Sequence, residues 1–281
     1  MLPFQASKFN FENLFIFEMA NNHQGFLDHG LRIINAIAGV AEQAGIRGAV
    51  KLQFRDLDTF IHPKYRDSTD NKHISRFLST RLSEGEFALL VNEIKRKKLI
   101  SICTPFDEAS VDKIEQLGIE VIKIASASAQ DWPLLERVAE TGKPVICSIG
   151  GLGIREIDRI VSFFQHRGVH FALMHCVAEY PTSNNKLELN QIEILRNRYP
   201  GVVIGFSTHE DPSNTNAIRL AYAKGARIFE KHVGVATDEI KLNAYSATPE
   251  QTAEWIAAYK EARDACGGES ERSIGEREKS D

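Results

Sequence analysis

The stretch Gly225-Ala226-Arg227-Ile228-Phe229-Glu230-Lys231-His232-Val233 reads as a short apolar strand that ends in three ionisable side chains. A brief apolar run bounded by glycine is what a strand covered on both faces looks like. Charges at the carboxyl end of such a strand are costly to bury alone, so a cation, an anion or a substrate has to face them. The preceding strand-like run, Val202 to Phe206, leads into His209, the first candidate partner for His232.

Outward from this point the same unit, a short β-branched strand followed by a helical pattern, recurs along the chain. Strands are expected over 15–19, 49–54, 99–103, 121–124, 144–148, 171–176, 202–206 and 226–231. The first helix is expected from Leu27 to Ala44, stopped by Gly45, and the last from Pro249 to Ala265. Ser83 to Glu86 resembles a capping box, and Asp107 an N-cap. Such alternation means a parallel sheet. Eight repeats favour a closed (β/α)8 TIM barrel, a single domain over 1–266, against an open doubly wound sheet. No GxGxxG follows the first strand, which also argues against a dinucleotide fold. The polar segment 55–82 reads as a lid-like loop over one end, and 267–281 as a polar tail or linker.

The 281 residues, 43% apolar and 26% charged with a net charge of −4, give no reason to expect nucleic acid or an anionic membrane as partner. No apolar run approaches the length of a membrane span, and the N-terminus lacks a signal-peptide pattern. The four cysteines form no CxxC pair. Cys103, Cys147 and Cys176 read as small core thiols, which fits a cytoplasmic protein.

In a barrel of this kind the active site lies at the carboxyl ends of the strands. Those ends offer Glu18 with Asn22 and His23; Lys51 and Gln53; Thr104 and Phe106; Lys123, Ser126 and Ser128; Ser148; His175, Glu179 and Tyr180; Ser207 and His209; and Glu230, Lys231 and His232. Two lysines converging with several hydroxyls is the composition of a phosphate or carboxylate site; either lysine could instead form a Schiff base or a structural ion pair. Two imidazoles at adjacent strand ends suit a borderline divalent metal such as Mn²⁺ or Zn²⁺. Glu18 could be a metal ligand, a general base or the ion-pair partner of a lysine.

Read together, Phe17–Gly25, Val50–Gln53, Cys103–Phe106, Lys123–Ser126, Gly142–Ser148, His175-Cys176 with Glu179-Tyr180-Pro181, Gly205–His209 and Glu230–His232 resemble, in order, the catalytic barrel of the N-acetylneuraminate (sialic acid) synthase family. The resemblance implies a nonulosonic acid synthase that condenses phosphoenolpyruvate with an N-acyl amino sugar, a ManNAc-like open-chain aldehyde. C3 of the enol pyruvate attacks the aldehyde, water attacks C2, and phosphate leaves by C–O cleavage. It further implies a divalent metal, Mn²⁺ or else Mg²⁺, on His209 and His232. Glu18 would stand beside metal and water as a catalytic group, and Gln53 in the same pocket. Lys51, Thr104, Lys123, Ser126, Ser148 and Ser207 would hold phosphoenolpyruvate. Phe106 and Tyr180 are assigned to substrate binding. A homodimer is expected.

Three departures from the family pattern stand out, and two of them bear on the acceptor. Ala125-Ser126-Ala127-Ser128 stands where Gly-Ser-Gly-Glu is usual. Lys241 to Ser246, with Asn243, stands where Gly-Pro-Asp-His is usual. The family's small C-terminal antifreeze-like domain is not expected within these 281 residues, and 267–281 is where such a domain would be joined. The first two losses fall on the acceptor side, and imply a changed acceptor. A non-catalytic or regulatory phosphoenolpyruvate-binding barrel and a Schiff-base aldolase on Lys51 or Lys123 are the competing expectations.

Overall fold

Eight parallel strands close into a barrel in chain order: β1 (Leu14–Glu18), β2 (Arg47–Phe54), β3 (Ile100–Pro105), β4 (Val121–Ile124), β5 (Val145–Ser148), β6 (Phe171–His175), β7 (Val203–Thr208) and β8 (Ile228–His232). The computed structural model describes residues 8–66 and 71–268. The expected (β/α)8 barrel is borne out. Its helices are α1 (Leu27–Ala44), α2 (Leu57–Phe60), α3 (Lys72–Ser79), α4 (Glu84–Arg96), α5 (Glu108–Gln116), α6 (Trp132–Glu140), α7 (Ile154–His166), α8 (Asn190–Arg198), α9 (Asn216–Ala223) and α10 (Pro249–Cys266). None is long and apolar enough to cross a membrane among the described residues.

Local signals set the helix ends. Gly45 adopts the left-handed conformation (φ 58°) and returns its N–H to the last turn of α1. Ser83 and Glu86 form a reciprocal capping box on α4, and the Asp107 carboxylate accepts from the Ser110 N–H to cap α5.

Two apolar layers result. One fills the space between strands and helices, with Phe17, Ile34, Val50, Leu90, Leu173, Phe229 and Trp255 among its members. The other fills the lower barrel interior with Leu14, Ile16, Ala49, Ile102, Val121, Ile146, Ala172, Met174 and Ile228. Side chains alternate faces along a strand, so these interior positions dictate what lies above them. Leu14 and Ile16 lead to Glu18; Ala49 to Lys51 and Gln53; Ile102 to Thr104; Val121 to Lys123; Ile146 to Ser148; and Ile228 to Glu230 and His232. The barrel is apolar below and charged at its mouth because each strand changes composition at its carboxyl end while keeping its phase.

Three expectations are corrected. The 55–82 segment is not one loop: it holds α2, a 3-10 turn over Pro63–Tyr65, and α3. Residues 67–70 of it, like most of the tail expected from 267, lie outside the described residues. Strand β8 starts at Ile228 rather than residue 226, where pairing with Leu14 and Gly205 begins, and it extends to His232. Strand β6 ends at His175, one residue before Cys176.

Candidate active site

Lys51 occupies the centre of the mouth. Its ammonium lies 2.6 Å from Glu18 Oε2 and 2.8 Å from Glu230 Oε2, with all three side chains almost wholly buried. Glu230 Oε1 accepts from Ser207 Oγ at 2.7 Å and lies 3.9 Å from the ammonium of Lys123, which donates in turn to Ser148 Oγ. Gln53 Nε2 donates to Glu18 Oε2 at 3.3 Å. These contacts join β1, β2, β4, β5, β7 and β8 through one network of two ammonium groups and two carboxylates.

Burial opposes every charge in this network, and the partners decide the outcome. For Lys51, burial alone would lower the pKa, but Glu18 and Glu230 override it and hold it raised. Lys123 is lowered, because burial outweighs its more distant pull from Glu230. Glu18 is raised by burial and by Glu230, despite Lys51. Burial also acts to raise Glu230, but Lys123 and Lys51 prevail and hold it lowered. The alternative of a lysine in an ion pair is therefore what Lys51 shows directly.

The two imidazoles meet above this network. The rings of His209 and His232 are 5.4 Å apart between centroids, within the roughly 6 Å that two imidazoles span around one ion with metal–nitrogen bonds of about 2.1 Å. His209 Nδ1 lies 3.2 Å from the carbonyl of Val177, which fixes its ring and leaves Nε2 available. Burial, together with His232 for His209 and Lys51 for His232, lowers both pKa values to about 3. Both rings are thus neutral donors at pH 7, and the pair fits a borderline divalent cation. Among the described residues no group of three His, Cys, Asp or Glu side chains forms a fuller metal cluster. Two protein donors would leave the remaining coordination positions open. Tyr180 (4.0 Å from the His209 ring) and Tyr245 (5.0 Å from the His232 ring) wall the pair on one side.

The other predicted residues fall into place around this centre or away from it. Thr104 is buried and pairs in register with Gln53. Ser126 Oγ accepts the Gly150 N–H at 2.9 Å and lies 3.2 Å from Cys176 Sγ. A side chain at Gly150 would collide with that thiol, its Cβ falling 2.7 Å from the sulfur, so the turn after β5 requires glycine. Phe106 lies under the guanidinium of Arg55, 3.7 Å from its carbon to the ring centroid. His175 faces away from the lumen and holds the carbonyl of Leu187 at 2.8 Å. Glu179 pairs with Lys186 at an exposed site. Asn243 Oδ1 accepts the Tyr245 N–H in its own turn, and the loop after β8 is tied down instead by Asn22, which donates to Val233 O and Ser246 Oγ. Sequence reasoning named Glu230 at the end of its strand but gave it no role, and left Arg55 and Tyr245 out of the site. For Glu230 the signal was present, since it stands two residues before His232 and hence on the same face.

His23, buried beside Phe87, has its pKa lowered to about 4 by burial. A histidine held neutral in the fold but free to protonate when unfolded stabilises fully above its unfolded value of about 6.5 and loses that stability as pH falls. Urea-unfolding midpoints should therefore drop between pH 6.5 and 4, with His23 contributing on the order of 3 kcal/mol. The drop should be visibly smaller in His23→Asn, which keeps an acceptor for the Gly25 N–H.

The barrel and its mouth define a class: a (β/α)8 protein whose strand ends carry a buried lysine–carboxylate–hydroxyl network beside an imidazole pair. Comparison with known proteins narrows this to one family. The NeuB family model matches residues 25–271, and the chain belongs to that family. A spore coat polysaccharide biosynthesis protein E from Chromobacterium violaceum has the same fold, with a TM-score of 0.94 and 49% identity, over 96% of this chain and 80% of that one. An N-acetylneuraminic acid (sialic acid) synthetase from Leptospira borgpetersenii aligns with a TM-score of 0.83 and 27% identity, covering 96% of this chain and 90% of that one. The N-acetylneuraminate-9-phosphate synthase of Drosophila melanogaster is 31% identical over 77% of this chain and 59% of its own length. The chain spans 58–66% of the length of the first curated relatives it matches. The family resemblance drawn from the eight motifs is borne out.

Proposed function

We propose that this barrel condenses phosphoenolpyruvate with the open-chain aldehyde of an N-acyl amino sugar to give a nonulosonic acid and phosphate. The observation that carries this is the convergence of Lys51, Lys123, Ser148 and Ser207 in one buried cluster beside the His209–His232 pair. The names of its relatives, synthases of N-acetylneuraminate 9-phosphate, legionaminic and pseudaminic acids, point the same way. Phosphoenolpyruvate brings several negative charges into a region of low dielectric. Lys51 and Lys123 offset them, and Ser148 and Ser207 donate hydrogen bonds to the same oxygens. The C–C bond forms from C3 of the enol to the aldehyde carbon, water adds at C2, and the C–O bond to phosphate breaks. Glu18, raised by burial and within reach of Gln53 and Lys51, holds or takes the proton of that water. A divalent cation on the imidazole pair, Mn²⁺ in this proposal, supplies Lewis acidity toward the aldehyde oxygen.

The test is phosphate release from phosphoenolpyruvate with Mn²⁺ and a panel of N-acyl sugars. Chelation, or His209→Ala with His232→Ala, should lower release by at least about a hundredfold, with Mn²⁺ restoring only the chelated wild type. Binding of phosphoenolpyruvate without turnover of any acceptor would leave a non-catalytic barrel. The lowered pKa of Lys123 is what a Schiff-base enzyme would also need. Borohydride trapping with pyruvate is expected to give no adduct, and an adduct on Lys123 would replace the proposal with an aldolase.

A further inference from the structure

Beside the mouth, beneath α2 and α3, lies a cavity open to solvent on one side, with about 170 Å³ of space accessible to water. Gln53 and Arg55 belong to its lining. Arg55 is held edgewise to nothing but Gln53: its Nη2 donates to Gln53 Oε1 at 3.0 Å. Phe106 and Phe77 clamp the guanidinium between their rings, at 3.7 and 4.3 Å from its carbon. Its Nε is buried without a hydrogen-bond partner.

Of the other charged groups nearby, Arg76 on α3 has no opposite charge within ion-pair distance among the described residues and acts on Arg55 as a like charge, while the rest are paired or hydrogen-bonded. Arg81 pairs with Asp58 at 3.2 Å and Lys113 with Glu84 at 3.1 Å. Both carboxylate oxygens of Asp107 accept backbone N–H groups, those of Asp56 and Ser110. Asp56 itself accepts from Thr59 Oγ1, and Glu18 is held by Lys51. Arg55 has no carboxylate within ion-pair distance among the described residues. A half-buried guanidinium without a counter-ion, its plane fixed between two rings beside an open cavity, is prepared for an anion. It connects to the reacting centre by two hydrogen bonds, Arg55 to Gln53 and Gln53 to Glu18.

We infer that Arg55 is a specificity-determining residue for an acceptor carrying a second anionic group, a phosphate or a carboxylate, at the end remote from the aldehyde. The identity of the acceptor as a sugar rests on the synthase reading; the anion preference does not. Calorimetry on the full chain measures it, with N-acetylmannosamine, its 6-phosphate and the matching uronic acid as probes. Wild type should bind one of the two anionic probes at least tenfold more tightly than the neutral sugar, and which one identifies the group. Arg55→Met should abolish that preference and Arg55→Lys keep part of it. Phe77→Leu, which loosens the clamp but keeps the charge, should retain a preference even where thermal stability falls. Equal binding of neutral and anionic probes, no binding of any, or a preference undiminished in Arg55→Met overturns the inference and leaves Arg55 as a clamp between α3 and the barrel. Failure of the synthase reading is seen separately, as absence of phosphate release with every acceptor.

Discussion

Lys51→Met should abolish phosphate release, by on the order of a thousandfold or more, and should also unfold the protein at a markedly lower denaturant concentration. In the native mouth one ammonium neutralises two carboxylates, at 2.6 and 2.8 Å. Without it, Glu18 and Glu230 face each other in a region closed to water, with Lys123 3.9 Å from Glu230 as the remaining cation. Removing one member of a buried charge pair costs about 3–5 kcal/mol, because the partner stays behind uncompensated. The double variant Glu18→Gln with Lys51→Met separates the two consequences. Deleting the surplus carboxylate should restore much of the stability while activity stays lost, since both the cation proposed to face phosphoenolpyruvate and the proposed acid–base group Glu18 are missing. Recovery of activity in the double variant would mean that Lys51 serves only to neutralise Glu18.

The contrast between Lys51 and its neighbours shows what sequence can convey. Alternation of short β-branched strands with capped helices is local chemistry, so the barrel, the caps at Ser83 and Asp107 and the inward phase of Glu18, Lys51, Lys123 and His232 were legible. The helices inside 55–82 were not, because α3 is eight residues of mixed polarity, too short for a periodic stripe to stand out. The clamp on Arg55 was hidden for another reason: its rings come from Phe77 and Phe106, distant in sequence and brought together only by tertiary packing. Likewise the sequence presents two lysines as anion binders, whereas the fold reveals that each already has a protein partner. The substrate must therefore displace or share contacts that the resting mouth makes with Glu230.

The same alternation puts Lys231 on the far side of β8, where a second large effect is expected. Lys231 is fully buried, its ammonium 3.0 Å from Glu210 Oε1 and 5.8 Å from the centre of the Trp255 ring. Glu210 Oε2 has no further hydrogen-bond partner, so Lys231 is what compensates that carboxylate. Lys231→Met should cost about 3–5 kcal/mol, read as a lower urea midpoint at unchanged slope. Joint replacement of Lys231 and Glu210 by Met should recover most of it, because an apolar pair desolvates without penalty next to Trp255. The pair adjoins His209 and His232 in sequence, one residue from each, and braces β7 against β8 behind them. If it orients the imidazoles as well as supporting the fold, the recovered double variant should still bind Mn²⁺ about 10–100-fold more weakly than wild type. A double variant with wild-type Mn²⁺ affinity would confine the pair to stability, and a single variant with an unaltered urea midpoint would show that Glu210 finds water or a proton where the structure leaves it bare.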